Sequence, residues 1–423
     1  MTSIYVYSWK PGSGVNFGDE IGPMVVDAVC RKSSISLKII PSGQPLKAKI
    51  FAVGSVLHEA RGSDVIWGVG VNSKHASILP RSSDIRFNAV RGPLTRSVVR
   101  DQGFECPEVF GDPGLLFPML FDKEIRTRRG ELERAAHDLG VRMPETIVIP
   151  NINDDRFLPY FSEPQLDGSI MFIRPHLDPI TVAAYISASS RVISSSLHGL
   201  VFADVYGRST TRMTSQYEAE FKYTDYYEGT GRQTPKSYPD LQRSLDGEET
   251  SRLEWDPEPL LKAFPLFDEE LIDRLKVDRF EMEPNKTYEV AELERDKSPL
   301  VEGWADPENG SAWSVSEWAN FEFYVKQTLS QDSFLRLNVG TLSKGTGAFT
   351  LLRVVHNGAA VESHRIVRGE SGAKIDISLP KPDAGKNYMI RFKIENASRP
   401  IDYGIGQDAR PLGVWVSNMT LVS

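Results

Sequence analysis

The sequence predicts an α/β protein in which two blocks of parallel, doubly wound sheet are followed by an all-β module. Three observations carry that prediction. Short apolar runs alternate with helical patterns over roughly the first 206 residues, and Gly-bearing turns follow several of the runs. A polar, turn-rich stretch then intervenes. Beyond Pro299 the apolar residues recur at every second position, the period of a half-buried strand.

In the first block the strand candidates are Ile4–Tyr7, Ile50–Val53, Val65–Val69 and Glu108–Phe110. Helices are predicted over Ile21–Val29 and Pro93–Gln102. Proline suits the first helical position, where its missing N–H needs no partner, and Gly103 suits the C-terminal cap. Residues 123–140 are polar, with a helix predicted over Glu131–Leu139. The second block reads as Thr146–Ile149 (strand), Ser169–Ile173 (strand), Thr181–Ala188 (helix), Arg191–Ser194 (strand) and Leu200–Tyr206 (helix). Two such blocks in tandem imply a cleft, with ligands outside the carboxyl ends of the strands. Residues 230–252 show no period, 258–276 regain a helical pattern, and Glu281–Ser298 reads as a linker. After it, Phe321, Phe323 and Val325 share a strand face. So do Leu335, Leu337 and Val339, then Ile390, Phe392 and Ile394, then Val414 and Val416. Turns are predicted at His356–Gly358, Gly369–Gly372 and Pro382–Gly385, which makes a β-sandwich. The expected domains are 1–120, 121–280 and 299–423, joined by the linker 281–298.

Composition narrows the function. The 423 residues carry 49 Lys and Arg against 57 Asp and Glu, a net charge of −8. That balance argues against nucleic acid as the main partner, because phosphate neutralisation needs a basic excess. A small anionic ligand needs only a local basic cluster. Mean hydropathy is −0.30, and every apolar run is broken well before the ~18 residues of a membrane span. The two cysteines, Cys30 and Cys106, cannot build a disulfide framework, and no clustered His/Cys spacing points to a metal. The N-terminus reads as a strand rather than a signal peptide, so a cytoplasmic location is expected.

Several motifs sit where such a cleft would open. Asn16-Phe-Gly-Asp-Glu20 opens the first helix; Asp19 is placed either to cap that helix or to orient a hydroxyl at the sheet mouth. Gly54-Ser-Val-Leu57 and Trp67-Gly-Val-Gly70 are glycine-bearing strand ends that allow close approach of a ligand or of neighbouring backbone. In Val90-Arg-Gly-Pro-Leu-Thr95, Arg91 precedes a helix start and is either an anion donor or an exposed turn residue. Asp112, in Gly111-Asp-Pro-Gly114, belongs to the same rim or to a plain turn. Ser194-Ser-Ser-Leu-His-Gly-Leu200 offers three hydroxyls, helix amides and His198 as an anion cradle. Arg174-Pro-His176 supplies a cation and a second imidazole if the sheet order is sequential, and Lys222 is either another cation beside aromatics or part of an ordinary surface segment.

Together these stretches, with Phe221-Lys-Tyr-Thr-Asp-Tyr-Tyr227, resemble the polysaccharide pyruvyltransferase family, in order over roughly residues 4–230, and in particular its bacterial exopolysaccharide ketal type. The resemblance implies a GT-B-like pair of Rossmann-like domains. It implies transfer of pyruvate from phosphoenolpyruvate (PEP) to a hexose of a polysaccharide or its lipid-linked precursor, as a ketal. Nothing comparable covers residues 299–423.

By the resemblance, His198 matches the histidine implicated in donor binding or catalysis, and Arg91 the arginine that holds the donor's anionic groups. Some relatives carry arginine where this chain has Ser196, so Arg174 or Lys222 is expected to replace it. The expected catalytic set is His198, Asp19 and, in reserve, Asp112. Arg91, Arg174, Ser195, Ser196, His198 and Lys222 are expected to bind PEP, and Asn16, Asp19, Glu20 and His176 the acceptor. No metal or cofactor is expected beyond PEP as donor substrate. An oligomer and peripheral association with the inner membrane face stay open. A cavity shared by Arg91 and His198 is the central expectation. Competing readings are a GT-B nucleotide-sugar glycosyltransferase and a non-catalytic polysaccharide-binding protein. Trp304, Trp313 and Trp318 either fill the core of the β module or stack on sugars.

Overall fold

The computed structural model describes residues 2–8, 16–42, 48–73, 79, 84–154, 169–276, 280–293, 298–301, 303–305, 307–326, 333–345, 347–356, 359–369, 372–379 and 386–423. The described residues up to Pro41 and Ala48–Lys276 form one compact unit, and those from Phe280 onward another.

The first unit opens with β1 (Thr2–Tyr7), α1 (Phe17–Lys32), β2 (Leu37–Ser42), β3 (Lys49–Phe51), β4 (Val65–Trp67), β5 (Arg86–Ala89) and α2 (Pro93–Asp101). These strands make a sheet ordered β2-β1-β3-β4-β5, with β1–β3, β3–β4 and β4–β5 parallel. Then come α3 (Phe117–Leu120), α4 (Asp122–Asp138), β6 (Thr146–Ile149), β7 (Ile170–Phe172), α5 (Pro179–Ala188), β8 (Arg191–Ser194), α6 (Leu197–Val205), β9 (Ser209–Met213), α7 (Phe221–Gly229) and β10 (Ser237–Tyr238). The second sheet is ordered β10-β9-β8-β6-β7 and is parallel throughout. The short helices α8 (Leu241–Leu245), α9 (Glu258–Lys262) and α10 (Glu269–Leu275) close the unit.

Both sheets are apolar on both faces, as parallel sheets covered by helices must be. In β3, Ile50 joins the large core that runs through both halves of the unit, whereas its neighbour Phe51 joins the core on the sheet's other face. In β6, Ile147 and Val148 divide in the same way. Pro93 takes the first turn of α2, and Gly103, at φ +89°, returns its N–H to Arg100 O at 2.9 Å. The 258–276 pattern is interrupted at Pro265, where the chain forms a short 3₁₀ turn instead of continuing a helix. This segment packs back on the first sheet: fully buried Trp67 donates its indole N–H to Leu260 O at 2.9 Å, and Asn88 donates to Ala263 O at 3.1 Å.

Two further expectations change in this unit. Glu108–Phe110 is not a strand; Phe110 makes only an isolated bridge to Val90. Asn16, not Asp19, is the N-cap residue of α1, and Asp19 lies inside the first turn.

The second unit is antiparallel. Its strands are β11 (Thr287–Glu289), β12 (Ala312–Trp313), β13 (Trp318–Val325), β14 (Phe334–Thr341), β15 (Phe349–His356), β16 (Ala359–Val367), β17 (Ala373–Ser378), β18 (Lys386–Glu395) and β19 (Val414–Val422). One sheet runs β11-β19-β14-β17 with β12 also on β19; the other runs β13-β18-β15-β16. Strict alternation of burial along β13 puts Phe321, Phe323 and Val325 into a core shared with Leu335, Leu337, Ile390, Phe392, Val414 and Val416 from both sheets. β11 arises within the 281–298 stretch read as a linker. Trp304 is buried and donates to Asn320 O at 3.0 Å, while Trp313 and Trp318 are half-buried. Residues 357–358, 370–371 and 382–385, central to the three predicted turns, lie outside the described residues. Among the described residues no helix is long and apolar enough to cross a membrane.

Candidate active site

The carboxyl ends of both parallel sheets in the first unit open onto one cavity of about 300 Å³. Tyr7 at the end of β1, the loop Gly54–Val56 after β3 and Asn72 after β4 line it from the first sheet. Asn151–Asn153 after β6 and Ser196–His198 after β8 line it from the second, joined by Glu218 and Lys222. This is where parallel α/β sheets place ligands.

The first turn of α1 supplies Asn16 and Asp19. The Asn16 side chain makes no cap bond and instead donates its amide to Asp19 Oδ2 at 2.5 Å. Pro175 O takes the Phe17 N–H at 2.9 Å, so the helix start is satisfied by backbone. Asp19 is half-buried, and burial pushes its carboxyl up to about 6. The nearby His198, the Asn16 hydrogen bond and Lys222 pull the other way, and Glu218 adds to the rise. A carboxyl held near 6 exchanges protons readily at neutral pH.

His198 stands at the start of α6. A Cβ on Gly18 would lie 2.1 Å from its Nδ1, so the glycine of the Asn-Phe-Gly-Asp motif is required for the imidazole to pack against α1. Its Nε2 faces Asp112 Oδ2 at 3.6 Å. Lys222 Nζ pairs with Glu218 Oε2 at 3.2 Å within the cavity wall.

Of the expected residues, the cavity brings together Asn16, Asp19, Ser196, His198 and Lys222. Arg91 is not among them. It is fully buried, with Nε on Asp225 at 3.0 Å, one terminal nitrogen on Ser55 Oγ at 2.6 Å and the other on Val71 O at 3.3 Å. Asp225 also accepts the Thr95 N–H and hydroxyl at 2.9 and 2.6 Å. The Val-Arg-Gly-Pro-Leu-Thr and Phe-Lys-Tyr-Thr-Asp-Tyr-Tyr motifs are thus two sides of one buried ion network. Three of the five guanidinium N–H donors are engaged by protein groups, and the side chain is fully buried outside the cavity lining. Arg91 reaches the cavity only through Ser55, so the expectation of a cavity shared with His198 fails for Arg91.

The other departures have local causes. Ser195 turns inward, donating to Asp154 Oδ2 at 2.8 Å and accepting the Asn151 N–H at 2.9 Å. Arg174 and His176 are exposed and do not line the cavity, and neither does Glu20. Asp112 is fully buried behind His198 and contacts no cavity space. Conversely, sequence reasoning passed over Tyr7, His58, Asn72, Asn151 and Glu218, which line the cavity. The signal for them was position: each follows or ends a strand or leads into a helix of the parallel blocks.

The family model described as polysaccharide pyruvyl transferase matches residues 15–216, a little under half of the chain. No curated protein matches. Among solved structures, a Podospora anserina mannanase carrying a family 35 carbohydrate-binding module is 14% identical over 32% of this chain and 27% of that one, with a TM-score of 0.21. This chain therefore spans about a quarter of that enzyme's length. A family 6 carbohydrate-binding module from Clostridium cellulolyticum in complex with xylose is 11% identical over 33% of this chain and 97% of that one, with a TM-score of 0.21. A family 35 module from Clostridium thermocellum is 13% identical over 33% and 98%, with a TM-score of 0.22. The family match takes in Asn16, Asp19, Asp112, Ser196 and His198, so that residues 15–216 of this chain are similar to the polysaccharide pyruvyl transferase family.

Proposed function

We propose that the protein transfers pyruvate from PEP to two hydroxyls of a hexose, in a polysaccharide or its lipid-linked precursor, forming a pyruvate ketal. The observation that carries the reading is that His198 and Asp19 face one cavity at the carboxyl ends of both parallel sheets, within the family-matching residues. We read the two sheet halves as a GT-B-like pair of Rossmann-like domains, 1–120 and 121–280, and residues 299–423 as an accessory sandwich.

The chemistry balances with these groups. The His198 imidazolium gives a proton to the methylene carbon of PEP, leaving an oxocarbenium-like centre at C2. Asp19 takes the proton of the first sugar hydroxyl as its oxygen attacks C2. The C2–O bond to phosphate then breaks and the phosphate departs with the Asp19 proton. The second hydroxyl closes the ketal and returns its proton to His198. With Arg91 withdrawn, the donor's anionic groups rely on Lys222, His58 and the amide end of α6. Tyr7, whose hydroxyl burial keeps protonated, and the amides of Asn72 and Asn151 suit sugar hydroxyls.

The test is incubation of the purified protein with PEP and candidate pyranoside acceptors, reading phosphate release together with the ketal methyl signal. Phosphate released only with acceptor, and matched by ketal, supports the reading. A melting temperature raised by UDP-sugars and unmoved by PEP overturns it in favour of glycosyl transfer.

A further inference from the structure

We propose that Asp112 is a positioning residue that holds His198 with one proton permanently on Nε2, so that Nδ1 is the only nitrogen that exchanges protons with substrate. The inference rests on the proposed function for its kinetic consequence but not for its structural content.

Asp112 Oδ2 and His198 Nε2 are both buried, lie 3.6 Å apart, and have no hydrogen-bond partner. A buried carboxylate oxygen and a buried ring nitrogen are each costly unpaired, and both are satisfied at once by a proton on Nε2. The opposite tautomer would set a nitrogen lone pair against a carboxylate. The separation is slightly longer than a hydrogen bond, as polar pairs in unliganded sites often are before they tighten on binding. The carboxylate is also fixed in place: its other oxygen, Oδ1, accepts the Gly114 N–H at 2.8 Å and so cannot swing away.

The rest of the Gly-Asp-Pro-Gly motif serves this placement. Gly111 holds φ +148°, a conformation that L side chains rarely adopt. Pro113 packs so closely on Gly68 that a Cβ there would lie 2.2 Å from the proline ring. A Cβ on Gly114 would come within 3.0 Å of Oδ1 and 3.8 Å of the imidazole. On the far side of the ring Nδ1 lies against Gly18, beside Asp19. Asp112 faces His198 from behind, while Asp19, Lys222 and Glu218 belong to the cavity in front.

The decisive substitution is Asp112→Asn. Its carbonyl oxygen can still accept from Gly114, but the amide then presents N–H groups to Nε2, which must become the acceptor. The neutral imidazole is forced to carry its proton on Nδ1, where it can no longer take one. The experiment records ring ¹⁵N shifts of His198 in the intact protein, alongside kcat and KM for pyruvyl transfer. The wild type is expected to show a protonated Nε2 and the variant a protonated Nδ1, with kcat lower by about 10²–10⁴-fold and KM within about threefold. In a His198→Ala background, Asp112→Asn should lower kcat no further. Should Asp112→Asn fail to fold, the wild-type ring spectrum still decides the tautomer. A wild-type Nε2 without its proton, or a variant with unchanged kcat, overturns the proposal. If no acceptor is pyruvylated, the reaction assignment fails, while the ring spectrum continues to judge the Asp112 contact.

Discussion

Replacing Asp19 by asparagine should make the first unit more stable at neutral pH while disabling the site. The Asp19 carboxyl is raised from 3.8 to about 6, chiefly because burial disfavours its charge. Below pH 3.8 the group is protonated in both folded and unfolded chains and stability is unaffected. Between 3.8 and about 6 the folded protein keeps a proton that the unfolded chain releases, so stability falls by ~1.4 kcal/mol per pH unit. Above about 6 both states are ionised and the cost levels off at about 3 kcal/mol. Asp19→Asn removes that cost, and its carbonyl oxygen can still accept from Asn16. Urea titrations of both proteins from pH 4 to pH 8 should show a gain near zero at pH 4 that grows to about 1–3 kcal/mol by pH 8. Turnover should fall by about 10²–10⁴-fold, and the wild-type rate should rise through pH 6 as Asp19 ionises. A gain independent of pH, or none at pH 8, would refute the claim that a desolvated carboxylate is held in the cavity.

Three further outcomes follow from the same geometry. His198→Ala should lower turnover by about 10²–10⁴-fold and destabilise by about 1–3 kcal/mol, because buried Asp112 Oδ2 loses the imidazole facing it; steady-state kinetics and thermal melting read the two effects separately. Asp225→Ala strands the buried Arg91 charge and should cost about 3–5 kcal/mol, whereas the paired change Arg91→Met with Asp225→Leu should recover most of it; calorimetry that finds the single and paired changes equal would show the ion network to be incidental. Gly18→Ala sets a methyl 2.1 Å from His198 Nδ1, so it should depress kcat far more than a surface alanine does, with secondary structure by circular dichroism unchanged.

Much of the fold was legible because it is encoded by local period and turn chemistry. Arg191–Ser194 and Thr146–Ile149 are strands where their apolar runs predict them. The alternating faces of β13, β14, β18 and β19 are the buried ones. What escaped was short or weakly patterned. β5, with exposed Arg86 and half-buried Asn88 between buried Phe87 and Ala89, carries too little contrast to stand out. Glu108–Phe110 had the look of a strand but pairs only through Phe110.

The site divides along a similar line. The motifs that frame the cavity were visible, since Asp19, Ser196 and His198 sit at strand-to-helix turns whose position is a matter of local order. Which charged side chains face the cavity was not. Arg91 and Asp112 occupy the same kind of turn, yet both are buried behind the wall, one held by Asp225 and the other set against His198. Those partners lie 134 and 86 positions further along the chain. Periodicity and capping are short-range properties of a polypeptide, and one linear sequence carries them in full. The choice between a ligand-facing cation and a buried ion pair depends on what packing brings across the core, and that is decided only when both sheets and their helices have closed on one another.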